Sequence, residues 1–112
     1  MWTFQAIITG YFTGTDCINW HSDKMASIAP NSIIFDVSLG AERTFLMRNK
    51  KTGAEERISM RSGSAIVLTT TGNELYEHAV LPEPGAGPRV SMVFRNIQTT
   101  ITRAELVARI GA

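Results

Sequence analysis

His21, Ser22 and Asp23 stand together in a chain whose only other histidine is His78, and 54 residues lie between Asp23 and that second imidazole. In an extended strand, residues two apart project to the same face, so His21 and Asp23 can offer a ring nitrogen and a carboxylate oxygen side by side. A distant His78 would complete a set of two histidines and one carboxylate. Three such ligands on one side of a metal leave the opposite positions open, which is the geometry of non-haem Fe(II) sites that handle O2. Downstream, Arg89-Val-Ser-Met-Val-Phe-Arg95 places Arg89, Ser91, Val93 and Arg95 on one strand face and Val90, Met92 and Phe94 on the other. A guanidinium fork grips a carboxylate through two parallel charge-assisted hydrogen bonds, so an arginine strand beside a metal is what a dicarboxylate co-substrate needs. Taken singly, each part is common: His-x-Asp arises by chance in many chains, and a strand with one polar face usually turns that face to water. Their joint occurrence is far more specific.

The elements that must position these residues are short strands. Trp2 to Tyr11 is aromatic and β-branched, Thr13 to Asp16 breaks it, and Ile18 to His21 carries the first ligand. After the loop from Ala26 to Asn31, Ile33 to Leu39 alternates Ile33, Phe35, Val37 and Leu39 with Ile34, Asp36 and Ser38, the period of a half-buried strand. Arg43 to Arg48, Glu56 to Met60, Ala65 to Thr69 and Leu75 to Val80 follow, punctuated by Gly53, Gly63 and Gly72-Asn73. Regular short strands with turn residues between them predict an all-β sandwich or jelly roll. Only the tail reads as a helix, with a capping-box pattern from Thr102 to Glu105 and an apolar face of Leu106, Val107 and Ile110.

A chain of 112 residues with 44% apolar content has room for one domain, residues 1–112, and no second. The single cysteine, Cys17, cannot form an internal disulfide, and the first ten residues lack the pattern of a signal peptide. A reducing, cytoplasmic setting without a membrane span is the expectation, with a monomer as the default. Net charge is +1 but uneven: −3 over residues 1–42, +4 over 43–61 and zero over 62–112. The basic segment holds Arg43, Arg48, Lys50, Lys51, Arg57 and Arg61. It can attract a phosphate backbone, yet a solvated hairpin gives the same pattern and is the commoner cause.

The order Tyr11, Gly14, His21-Ser-Asp23, Val37-Ser38-Leu39-Gly40, Gly63-Ser64, His78 and Arg89-Val-Ser91-Met-Val-Phe94-Arg95 resembles the AlkB family of Fe(II)- and 2-oxoglutarate-dependent dioxygenases, over roughly residues 9–97. The resemblance implies a double-stranded β-helix, a form of jelly roll, with Fe(II) as cofactor and 2-oxoglutarate and O2 as co-substrates. It implies oxidation of a substrate C–H bond with release of succinate and CO2. By position, His21, Asp23 and His78 would bind iron. Arg89, Ser91 and Tyr11 would hold the distal carboxylate of 2-oxoglutarate, and Arg95 would brace the co-substrate and Asp23.

Three departures from the family pattern bear on the substrate. Thr9 stands where an Asn usually precedes the co-substrate tyrosine by two residues, so it becomes a candidate co-substrate contact of altered strength. Lys24 and Met25, on the expected substrate side, replace an acidic side chain that helps base-repairing members select the flipped base. Only 20 residues precede His21, so the nucleotide-gripping lid of repair members is expected to be missing or supplied by a partner. Trp20 offers either a stacking surface on the substrate side or a strand-core side chain. The expected reaction is oxidative demethylation of alkylated nucleobases in exposed or single-stranded nucleic acid. The alternatives are a hydroxylase of a peptide or small metabolite and, in another class, a non-catalytic binding module on the same barrel, against which the retention of all three ligands and both arginines argues.

Overall fold

The computed structural model describes residues 2–24, 28, 31–98 and 104. In chain order these form β1 (Trp2–Tyr11), β2 (Ile18–His21), β3 (Ile33–Gly40), β4 (Arg43–Asn49), β5 (Glu55–Met60), β6 (Ala65–Thr69), α1 (Thr70–Leu75), β7 (Tyr76–Val80) and β8 (Arg89–Gln98). Two four-stranded antiparallel sheets result, ordered β1-β8-β3-β6 and β2-β7-β4-β5. This is the expected double-stranded β-helix. The expected C-terminal helix from Thr102 onward lies outside the described residues, apart from Ala104. No helix among the described residues is long and apolar enough to cross a membrane.

Tyr11, Ile28, Ile34, Phe45, Met60, Leu68 and Val80 form the buried apolar cluster. The cluster is small because much of the inward surface is polar. On β3 the apolar residues of one face, Ile33 and Leu39, are exposed, whereas Ile34 and Ser38 are buried and Asp36 is half-buried. Hydrophobicity alone would have turned the strand the other way. Its neighbour decides: β3 pairs with β8 so that Ser38 lies opposite Ser91, Asp36 opposite Val93 and Ile34 opposite Arg95. Directly opposed residues share a face, so the polar set of β3 is drawn to the side that the β8 arginines occupy.

The segment before β7 is not the simple turn expected there. Thr69 accepts a hydrogen bond at Oγ1 from the Gly72 amide at 2.9 Å and caps the short helix α1, which shortens the expected strand to Tyr76–Val80. Gly14 permits another close approach. Its carbonyl accepts from the Glu83 amide at 2.7 Å, and a Cβ on Gly14 would stand 2.0 Å from the Glu83 carbonyl oxygen. The turn after β1 and the loop after β7 are thereby joined.

Candidate metal and co-substrate site

The pairing of β2 with β7 sets His21 directly opposite His78. Both imidazoles therefore project from neighbouring strands toward one point, with ring centroids 4.3 Å apart. Asp23, two residues past His21, brings Oδ1 to 3.8 Å from His21 Nε2 and 3.7 Å from His78 Nε2. One ligand atom from each residue lies within 4.8 Å of the others, close enough to surround a single ion.

The state of the three side chains suits a cation. The Asn19 carbonyl accepts from His21 Nδ1 at 2.7 Å, which keeps the hydrogen on Nδ1 and leaves the Nε2 lone pair for a metal. Burial, joined by the nearby His21 and opposed by Asp23, holds the His78 pKa down at about 4. His78 is neutral at pH 7, as ligation requires. Phe45 stacks on its ring at 5.3 Å, and Arg95 Nη1 donates to Asp23 Oδ2 at 3.3 Å, leaving Oδ1 toward the histidines.

The backbone that carries Asp23 is held by residues that the sequence reading did not single out for that work. Asn73, fully buried in α1, accepts from the Asp23 amide at 2.9 Å and donates from Nδ2 to the Asp23 carbonyl at 2.9 Å. Ser22 Oγ donates to the Tyr76 carbonyl at 2.7 Å. Gly72-Asn73 reads in sequence as turn chemistry, and nothing local reveals the contact across 50 residues.

A cavity of about 600 Å3 runs from these three residues along the inside of the β1-β8-β3 surface, reaching Thr9, Tyr11, Asp36, Arg89, Ser91 and Arg95. Arg89 is only 2% exposed. Its Nε donates to Ser38 Oγ at 2.7 Å and its guanidinium lies 4.9 Å from the centre of the Tyr11 ring. Among the described residues, its buried Nη1 and Nη2 make no hydrogen bond of ordinary geometry, with the Tyr11 phenol beside them. A buried cation with an open fork is costly unless a ligand completes it, and a carboxylate has the matching shape. Burial pushes the Tyr11 phenol above its ordinary range, against the pull of Arg89, so it can donate its hydrogen. The expected residues His21, Asp23, His78, Tyr11, Arg89, Ser91 and Arg95 thus meet in one cavity, and Thr9 lines it opposite Ser91.

The sequence profile of the 2OG-Fe(II) oxygenase superfamily matches residues 1–99. The chain belongs to that superfamily. Within it the chain is AlkB-like: it is 27% identical over 106 residues to mouse alpha-ketoglutarate-dependent dioxygenase alkB homolog 3, covering 85% of this chain and 37% of that protein. Human DNA oxidative demethylase ALKBH2 is 30% identical over 103 residues, 84% of this chain and 40% of the relative. The chain therefore spans well under half the length of these curated relatives. A prolyl-4-hydroxylase from Pseudomonas putida shares the fold, with a TM-score of 0.64 and 16% identity over 88% of this chain and 54% of that one.

The other candidates of this oxygenase domain fall elsewhere. Lys24 is exposed at the cavity edge, and Met25 lies outside the described residues. Trp20 does not line the cavity. As the neighbour of His21 on a strand it projects to the opposite face, where the Arg48 guanidinium covers its ring at 4.0 Å. That arrangement places its ring against Arg48, outside this cavity and outside the buried apolar cluster. The basic segment is also dispersed: Arg43 is buried and donates to the Asp16 and Leu81 carbonyls, Arg48 pairs with Glu77, and Arg61 lies 3.9 Å from Glu42.

Proposed function

We propose that this chain carries out Fe(II)- and 2-oxoglutarate-dependent oxidation of a C–H bond on alkylated nucleobases in exposed or single-stranded nucleic acid. The observation that carries the oxygenase part is the single cavity joining His21, Asp23 and His78 to the open Arg89 fork. Bound Fe(II), with 2-oxoglutarate and O2, would supply the oxidising chemistry and release succinate and CO2. The protein's own share is placement. Arg89 and Tyr11 would hold the distal carboxylate, Arg95 would keep Asp23 turned toward the histidines, and the apolar walls from Ile34, Phe45 and Val80 would exclude water from the reacting end.

The nucleic-acid part rests on the printed description of relatives such as ALKBH2 as DNA oxidative demethylases, at 29–30% identity. It does not rest on the basic segment, whose arginines are largely engaged within the fold. The test is incubation of the Fe(II)-loaded protein with 2-oxoglutarate and oligonucleotides bearing N-methylated bases, reading succinate and demethylated base together. Stoichiometric loss of methyl groups supports the reading. Succinate released with no demethylated base would turn it toward a peptide or small-metabolite substrate, and neither product would leave a binding module.

A further inference from the structure

Asp36 is a carboxylate set in the wall of the co-substrate cavity, on the inward face of β3. Ser91 Oγ donates to Asp36 Oδ1 at 2.7 Å. This hydroxyl is one of the groups from which a distal carboxylate would have been expected to receive a hydrogen bond. The Arg89 guanidinium next to it donates from Nε to Ser38, and its two buried Nη atoms, beside the Tyr11 phenol, make no hydrogen bond of ordinary geometry among the described residues. Asp36 therefore stands beside the anion clamp without closing it. Among the described residues, the charged and titratable groups that act on Asp36 are Arg89 from β8, Tyr11 from β1 and Asp23 from the segment after β2, while Arg95, two residues past the β8 partner Val93, faces the same cavity and pairs with Asp23. Across β6 its partner is Ile66, which adds no charge.

We propose that Asp36 takes up one proton when the distal carboxylate of 2-oxoglutarate binds at Arg89, and in that form donates a hydrogen bond to the ligand. The inference rests on the co-substrate reading above. A bound dicarboxylate would occupy the open edge of Arg89, the cation that holds the Asp36 pKa down, and add a negative charge to the same wall. Two carboxylates sharing one cation in a poorly solvated site do not both stay ionised. The ligand carboxylate has the fork and Asp36 does not, so the proton, drawn from solvent, goes to Asp36. Its Oδ1 continues to accept from Ser91 while Oδ2 carries the hydrogen toward the ligand. No other bond changes. Burial already raises the Asp36 pKa in the free protein, with Ser91 and Arg89 opposing it, so the step starts from a carboxyl predisposed to protonation. Asp36 would then be a specificity residue: it makes a charged distal group dependent on a proton that a neutral one would not require.

Calorimetric titration of the Mn(II)-loaded protein with 2-oxoglutarate, in buffers of different ionisation enthalpy between pH 7 and 8, counts the protons. The expected result is an uptake approaching one proton per ligand, so that the dissociation constant rises about tenfold over that pH unit. Asp36→Asn, which keeps the shape and a donor, should bind 2-oxoglutarate with no uptake and no pH dependence over the same interval. Arg89→Ala serves as the control for the clamp. Binding that depends on Arg89 but carries no proton uptake in the wild-type chain overturns the Asp36 inference and leaves the co-substrate reading standing. Absence of binding, or binding indifferent to Arg89→Ala, overturns both.

Discussion

The buried side-chain amide of Asn73 and the backbone of Asp23 exchange two hydrogen bonds of 2.9 Å each, so a residue in α1 holds a candidate metal ligand as a neighbouring strand would. Asp23 follows the end of β2 and has no strand pairing of its own there. Asn73 replaces it. The consequence is that the carboxylate direction is fixed from outside the His21-Ser22-Asp23 triplet.

Asn73→Ala removes both bonds and leaves the Asp23 amide and carbonyl unsatisfied, at about 1–3 kcal/mol each where they are shielded from water. Supporting residues of this kind typically govern metal affinity by about 10–100-fold. The expected outcome is weaker Mn(II) binding in that range, measured by electron paramagnetic resonance, with the β-sheet circular dichroism signal retained. Unchanged affinity would show that Arg95 alone orients the carboxylate.

His78 links stability to pH. Its pKa falls from 6.5 in the unfolded chain to about 4 in the folded one. Between those values the unfolded state holds more protons than the folded state, so the stability of the metal-free protein rises with pH. It is lost progressively as pH drops from 6.5 toward 4, by on the order of 3 kcal/mol, and is unaffected by this group above pH 7. Urea denaturation of the metal-free chain at pH 7 and at pH 5 measures the loss, and His78→Gln should flatten it. The same variant, and His78→Ala, should abolish Fe(II) binding.

Arg89→Ala should raise the KM for 2-oxoglutarate by more than about a hundredfold, since breaking a buried charge pair costs about 3–5 kcal/mol. Arg89→Lys should recover little. A lysine cannot hold Ser38 and present a two-pronged donor at once. Steady-state kinetics with varied co-substrate distinguish these outcomes, and an unchanged KM in the alanine variant would move the clamp to another cation.

Trp20→Ala should leave metal and co-substrate affinity unchanged, because the ring lies outside the cavity beneath Arg48. The expected cost is in stability, on the order of 0.5–1 kcal/mol for a half-exposed cation–π contact. Paired measurements of the denaturation midpoint and the Mn(II) affinity check both halves. A large fall in affinity with unaltered stability would return Trp20 to the site.

What was legible in the amino-acid order follows from local geometry. His21 and Asp23 share a face because they are two apart, Arg89, Ser91 and Arg95 share one for the same reason, and strand-forming runs between turn residues predict seven of the eight strands to within a residue, while β8 runs three residues past Arg95 to Gln98. Period two does not say which face is inside. On β3 the polar set Asp36 and Ser38 turned inward against hydrophobicity, and Trp20 was put outside by the same choice that put His21 inside. Such choices depend on which strands pair and in what register, contacts between residues far apart in the chain. Only the folded chain sets His78 opposite His21, Asn73 on the backbone of Asp23, and Asp36 beside Arg89 and Ser91. The candidate ligand types and the arginine strand are readable in the amino-acid order, whereas their orientation comes from the fold, because it is carried by hydrogen bonds across 50 residues or more that no local pattern encodes.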